Sequence, residues 1–172
     1  MPQFHKNSYC SYCGTAFAAD AAWPRRCARC GNVTYSNPLP VSVVLLPVGD
    51  GLLLVRRTQE PQAGKWALPG GFIETGETWQ EVGAREMREE TGYTIGPAGI
   101  RLFDTRSAPD GTLLVFGLAA AVSSGALPPF TPSSETSEAM IAAGPMDLAF
   151  STHTETAARY WKEMKMEGDK RP

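Results

Sequence analysis

Three glutamates, Glu86, Glu89 and Glu90, fall within five residues of one predicted helix, and their crowding limits what residues 71–93 can become. Thr78 and Glu81 form an S/T-x-x-E capping box, and Gly92 supplies a C-terminal stop, so the helix is expected over residues 79–91. Within it, Glu86 and Glu90 lie one turn apart on one face, and Glu89, three residues on from Glu86, borders that face. Like charges at this spacing oppose helix formation by roughly 0.2–0.5 kcal/mol per pair, so the cluster makes sense when cations neutralise it. Hard carboxylate oxygens favour Mg²⁺ or Mn²⁺ over zinc. Trp79, Val82 and Met87 give the opposite, buried stripe. The competing reading is a charged amphipathic helix whose glutamates are simply solvated.

The wider spacing decides between these readings. Gly71 is followed after five residues by Glu77, and seven residues later by Arg85-Glu86-Met87-Arg88-Glu89-Glu90-Thr91-Gly92-Tyr93. The pattern resembles the signature of the Nudix hydrolases, G-x5-E-x7-R-E-U-x-E-E-x-G-U with U a bulky aliphatic, at every fixed position. Tyr93 alone departs, standing where an aliphatic is usual. Upstream, Gly64-Lys65-Trp66-Ala67-Leu68-Pro69-Gly70-Gly71 resembles the lead-in G-x-W-x-L-P-G-G of that family. The resemblance implies an α/β chain, with an α/β/α sandwich around a mixed sheet. It also implies attack of a metal-activated water on one phosphorus of a nucleoside diphosphate linked to another group. On the same basis Glu86 and Glu90 are the first metal ligands, Glu89 is close behind, and the Gly71 carbonyl joins them. Glu77 and Arg85 are expected to pair in a structural salt bridge.

All four cysteines lie in the first thirty residues, as Cys10-x2-Cys13 and Cys27-x2-Cys30 with thirteen residues between the pairs. Two such knuckles bring four thiolates within tetrahedral reach of Zn²⁺. Each ends in glycine, Gly14 or Gly31, where a tight turn wants a positive φ. A disulfide pair is the alternative, and it fits poorly with a chain that starts without a signal peptide's apolar core. Arg25, Arg26 and Arg29 are read as offsetting the charge of a zinc tetrathiolate, in preference to contacting nucleic acid. The resulting boundaries are a zinc ribbon over residues 1–37 and a catalytic domain over 38–172, joined at the stiff Ser36-Asn37-Pro38-Leu39-Pro40.

Beyond that junction, Val41 to Val48 and Gly51 to Arg57 read as buried strands joined at Gly49-Asp50-Gly51. Arg56 and Arg57 end the second strand, as solvated residues or as substrate-phosphate ligands. Residues 58–65 read as a polar loop over the site. Ile100 to Arg106 and Thr112 to Val122 read as strands around a Pro109-Asp110-Gly111 turn, and residues 123–134 as a loop. Glu135 and Glu138 follow it, where many Nudix enzymes hold a further metal ligand or general base; the alternative is a solvated loop carboxylate. A last helix is expected from Thr152, capped by Glu155, to about Met166, with Ala158, Trp161 and Met164 or Lys165 on one side. His153, just inside it, is expected at the surface or in a cap.

At 172 residues and 42% hydrophobic, the chain can bury one good core and a small appendage. A net charge of −2 and a pI near 5.7 argue against a broad basic surface, so no nucleic-acid partner is expected. No apolar run approaches the ~20 residues of a membrane span, and a cytoplasmic protein is expected, with a homodimer as an open option. A ribbon before a Nudix box also resembles NADH pyrophosphatases. Their S-Q-P-W-P-F-P-x-S array is absent here, where the chain reads Asp104-Thr105-Arg106-Ser107-Ala108-Pro109. The chain more closely resembles shorter ribbon-bearing Nudix proteins, whose members include ADP-ribose and FAD pyrophosphatases, and that resemblance implies ADP-ribose and FAD ahead of NADH. A nucleotide-sensing module without turnover, an isomerase and a house-cleaning nucleoside triphosphatase remain as alternatives.

Overall fold

The computed structural model describes residues 6–168, without the side chains of residues 165, 167 and 168. The chain divides into two compact units, Met1–Pro38 and Leu39–Pro172. In the first, the strands β1 (Arg25–Arg26) and β2 (Val33–Thr34) pair antiparallel, with Arg25 opposite Thr34. So small a unit has almost no apolar core, which is why its cysteines matter to its stability.

In the second unit, β3 (Leu39–Leu45), β4 (Pro47–Val48) and β5 (Gly51–Arg57) follow the junction. The expected hairpin exists only at its tip, where Pro47 pairs with Leu52 and Val48 with Gly51. Below it the first strand leaves for another sheet. There β3 lies between β7 (Gly70–Phe72) and β9 (Thr112–Ala119), antiparallel to the first and parallel to the second, and β8 (Ile100–Ser107) completes the order β7-β3-β9-β8. The other sheet runs β10-β5-β4, where β10 is Thr136–Ala142 and the short β6 (Trp66–Ala67) also pairs with β5.

Strand β10 corrects the loop reading of Glu138. Thr-Ser-Glu-Ala-Met-Ile-Ala has no clean alternation of apolar and polar residues, and its pairing with β5, from Thr136 opposite Arg57 to Ala142 opposite Leu52, is a long-range contact. The strands of β3 and β5 alternate their side chains between two cores. Val43, Leu45, Leu52 and Leu54 join Phe116, Tyr160 and Trp161 on one side, while Val44, Leu46 and Leu53 join Met87 and Ile100 on the other. These two cores are the layers of an α/β/α sandwich.

Helix α1 (Trp79–Thr91) has the expected capping box, and Gly92 ends it in the left-handed conformation. The Ser42 hydroxyl donates to the Trp79 carbonyl at 2.7 Å and fixes the helix start on β3. Helix α2 (Ser151–Gly168) begins one residue earlier than expected. Glu155 does not cap it; it pairs instead with Arg106 on β8, while the Thr154 hydroxyl accepts from Leu148 N at 2.9 Å. Its packed face carries His153, Thr156, Ala157, Tyr160 and Trp161. Ala158 is exposed and Met164 is 39% exposed, so the expected stripe is rotated by one residue; the Lys165 side chain lies outside the described residues.

Candidate active site

The box places carboxylates where burial makes them costly. Glu86 and Glu90, on the face of α1 turned toward β7, are only 6% and 7% exposed. Gly71 backs directly onto the first: a Cβ there would lie 2.1 Å from Glu86 Oε1, so any side chain would displace the Glu86 carboxylate. Gly70 N–H donates to Glu90 Oε2 at 2.9 Å. The lead-in glycines thus let backbone, which cannot titrate, form the wall against two carboxylates.

A third carboxylate comes from the residue just before β10, at the edge of the other sheet. The Thr136 hydroxyl, fully buried, donates to the Glu90 carbonyl at 3.0 Å, and Ser133 Oγ accepts from Glu135 N and Thr136 N at 3.1 and 3.2 Å. This Ser-Thr turn pins the start of β10 to α1 and delivers Glu135. One carboxylate oxygen from each of Glu86, Glu90 and Glu135 lies within 4.8 Å of the others. Three negative charges so placed demand either protons or cations. Burial pushes the Glu90 carboxyl up to about 8; the Gly70 N–H and Arg57 oppose this, and Glu86 and Glu135 add to it. Glu86 is also raised, chiefly by burial and against the pull of Arg85. An all-oxygen donor set with such suppressed ionisation fits a hard divalent cation.

Glu89 and Glu138 stand outside this group. Glu89 is roughly half-exposed and turns to Arg85 Nη1 at 3.2 Å and Arg88 Nη2 at 3.7 Å, because it lies a third of a turn away from the buried face. Glu138, inside β10 while Glu135 lies in the bend before it, lies 3.5 Å from Arg56 Nε, an ion pair by distance without hydrogen-bond geometry. Arg56 stacks its guanidinium 4.7 Å over Trp66. Arg57 stacks 5.1 Å over Phe150 and donates to the Pro61 carbonyl at 3.2 Å. Glu77 and Arg85 pair through Oε1 and Nε at 3.1 Å, and the same guanidinium reaches Glu86 Oε1 at 2.6 Å and the Phe72 carbonyl at 3.3 Å. Arg85 therefore ties loop, strand β7 and helix together, and these partners hold it firmly protonated, Glu77 first among them.

His153 is neither a surface residue nor a cap. It is 5% exposed, its Nδ1 accepts from Leu68 N at 3.3 Å, and its ring meets Phe116 and Phe150 edge-on or tilted. Burial drives its pKa down to about 3, so it stays neutral and supports the backbone two residues before Gly70. A sequence-level clue existed in its position facing the apolar stripe of α2.

The four cysteines converge as their spacing requires. Cys10 Sγ lies 3.6 Å from Cys30 Sγ, Cys13 Sγ lies 3.6 Å from Cys27 Sγ, and all four sulfurs fall within 4.8 Å of one another. The edges of a ZnS4 tetrahedron with Zn–S of about 2.3 Å measure roughly 3.8 Å, so the set fits zinc. The two knuckles share one turn: Gly14 N donates to Cys10 O and Gly31 N to Cys27 O, each at 2.9 Å, with φ of 70° and 74° at the glycines. Hydrogen bonding to Thr15 lowers the Cys13 thiol to about 6. At Cys30 the Asn32 N–H favours the thiolate, yet burial and the neighbouring sulfurs outweigh it and push the thiol up to about 11. Arg25 is not aimed at these sulfurs; it donates to the Ala21 and Asn7 carbonyls and stacks on Trp23, which corrects its reading as a counter-charge.

Comparison with known proteins adds lineage to this geometry. The NAD-capped RNA hydrolase NudC of Photobacterium profundum is 32% identical over 115 residues, covering 65% of this chain and 42% of the relative. The NudC of Chromobacterium violaceum is 37% identical over 93 residues, covering 54% and 35%. The chain thus spans less than half the length of these curated relatives. A NUDIX hydrolase from Nitrosomonas europaea superposes with a TM-score of 0.76 at 26% identity, covering 92% of this chain and 93% of that one. The NUDIX domain family model matches residues 37–162, about three quarters of the sequence, and the chain belongs to that family.

Proposed function

We propose that this chain is a metal-dependent pyrophosphohydrolase that cleaves a nucleoside diphosphate linked to another moiety and releases a nucleoside monophosphate. One observation carries the reading: Glu86, Glu90 and Glu135 converge within 4.8 Å, and Gly71 backs onto Glu86 where a Cβ would push its carboxylate out of place. Glu86 and Glu90 would hold Mg²⁺ or Mn²⁺, with Glu135 completing the set. Bound there, the cation supplies an activated water and offsets charge on the phosphoryl oxygens. Glu135 is exposed, and among the described residues its carboxylate has no hydrogen-bond partner, so it is the carboxylate best placed to accept a proton from an approaching water. Glu89, engaged by two arginines, orients Arg85. Arg57 faces the acid cluster closely enough to affect Glu90, and it is the first candidate to meet a substrate phosphate.

Similarity to NAD-capped RNA hydrolases supports a dinucleotide-type substrate, and ADP-ribose and FAD stand ahead of NADH because the Pro-rich array of the NADH enzymes is missing. Four reduced thiols holding structural Zn²⁺ agree with a cytoplasmic location. Among the described residues no helix is long and apolar enough to cross a membrane. The test is incubation with Mg²⁺ or Mn²⁺ and a panel of ADP-ribose, FAD, NADH, nucleoside-diphosphate sugars and dNTPs, with products identified by mass. AMP from a dinucleotide or ADP-ribose, lost in Glu90→Gln and Glu135→Gln, is the expected result. Tight binding of one compound without turnover of any would replace the hydrolase with a sensor.

A further inference from the structure

The N-terminal unit carries features that the acid cluster does not use. Trp23 is 40% exposed, and it is packed against both Phe17 and Arg25. The Arg25 guanidinium lies 4.4 Å from its ring and 5.7 Å from Phe17, and Phe17 meets Trp23 edge-on with centroids 6.5 Å apart. Arg25 is itself anchored, through Nε to the Ala21 carbonyl at 2.7 Å and through Nη1 to the Asn7 carbonyl at 3.2 Å. These residues and Lys6 line a cavity of about 360 Å³, a volume within the range of small-molecule sites.

Charge divides unevenly between the two units. The first holds Lys6, Arg25, Arg26 and Arg29 against Asp20 alone, or +3, while residues 39–172 hold 12 cations against 17 carboxylates, or −5. A zinc tetrathiolate removes two charges and still leaves the ribbon positive. A ribbon of net positive charge favours an anionic ligand there.

We infer that the ribbon cavity is a nucleotide-binding site of its own, in which a base stacks on the exposed part of the Trp23 ring, away from Arg25, and a phosphate is met by Lys6 and Arg25. An ordered aromatic ring beside a fixed guanidinium is the combination that holds bases without regard to sequence. It needs only one phosphate and one ring, so the lack of a broad basic surface does not oppose it. The chemistry is shared by a free nucleotide and by a nucleotide within a single strand.

The inference is independent of the proposed hydrolysis and is tested apart from it. Zinc-loaded full-length protein, without Mg²⁺ or Mn²⁺, is titrated into a fluorescein-labelled single-stranded deca-adenylate, with AMP as competitor. Trp23→Ala should weaken binding roughly tenfold to a hundredfold, the value of one base stacked on an aromatic ring, and Trp23→Phe should restore most of it. Lys6→Glu should weaken it too and flatten its dependence on salt. AMP competing as tightly as the strand identifies a free nucleotide as the ligand; a much tighter strand identifies single-stranded nucleic acid. Zinc content of one per chain in Trp23→Ala shows that the ribbon is intact, and if zinc is lost, Trp23→Phe and Lys6→Glu decide. Failure of wild type to bind either probe, or binding unchanged in Lys6→Glu and in zinc-loaded Trp23→Ala, overturns the site. Hydrolysis of ADP-ribose should be unaffected by these variants.

Discussion

Replacing Glu90 by glutamine should stabilise the metal-free protein while abolishing its response to metal. In the native state burial holds the Glu90 carboxyl at about 8 against an ordinary value of 4.5. The folded protein therefore keeps a proton that the unfolded chain has already released. Stability from this group is complete below pH 4.5 and is lost as pH rises toward 8. The difference of 3.5 units, 8 minus 4.5, corresponds to about 5 kcal/mol once both states are ionised, and to roughly 3 kcal/mol at pH 7. Glutamine removes that penalty, and its carbonyl can still accept the Gly70 N–H. Allowing for imperfect packing of the amide, a gain of about 2 kcal/mol at pH 8 is expected, or about 4–8 °C in Tm for a chain of this size. Urea unfolding from pH 5 to 8 in buffer freed of Mg²⁺ and Mn²⁺ measures it. Wild type should lose up to about 1.4 kcal/mol per pH unit, and Glu90→Gln should lose less. With Mg²⁺ added the order should reverse, because binding stabilises only the form that binds. A Glu90→Gln protein less stable than wild type at pH 8 without metal would refute the idea that burial and crowding of these carboxylates create the metal site.

Further outcomes follow from the same geometry. Gly71→Ala places a Cβ 2.1 Å from Glu86 Oε1, so the carboxylate must swing away; hydrolysis should fall by about a hundredfold or more with a stability loss of about 1–3 kcal/mol, read by steady-state kinetics and urea unfolding. His153, held neutral with a pKa near 3, lies below its unfolded value of 6.5, so its contribution is present above pH 6.5 and is lost as pH falls toward 3. The unfolding free energy of wild type should drop over that window by up to about 1.4 kcal/mol per pH unit, as urea unfolding measures, and His153→Gln should flatten the acid limb. Cys27→Ser should release zinc, measured by atomic absorption, and unfold the first unit. The second unit, with its own two cores, should keep a cooperative transition.

Gly71 to Tyr93 and the two cysteine knuckles were readable because their constraints are local. A capping box, a left-handed stop and a Cys-x-x-Cys turn each close within a few residues, so residue type and spacing suffice to define them. The sandwich was legible through resemblance and through the near-continuous apolar runs of β3 and β5, which mark strands buried on both faces. What sequence could not settle was every choice made by long-range pairing. Strand β3 leaves its hairpin partner for β9, some seventy residues away, because both of its faces must be buried between helices. Strand β10 lacks a period and is held by β5 and by Thr136, and that register alone places Glu135 in the acid cluster while Glu138 faces Arg56. Likewise Glu86 and Glu90 are buried and Glu89 is not, although all three are acidic residues on one helix, because Ser42 and Gly71 fix which side of α1 meets the sheet. Sequence determined the helix, its ends and the donor types. Tertiary structure determined which donors share a site, since burial and register depend on residues too distant in the chain for any local pattern to encode.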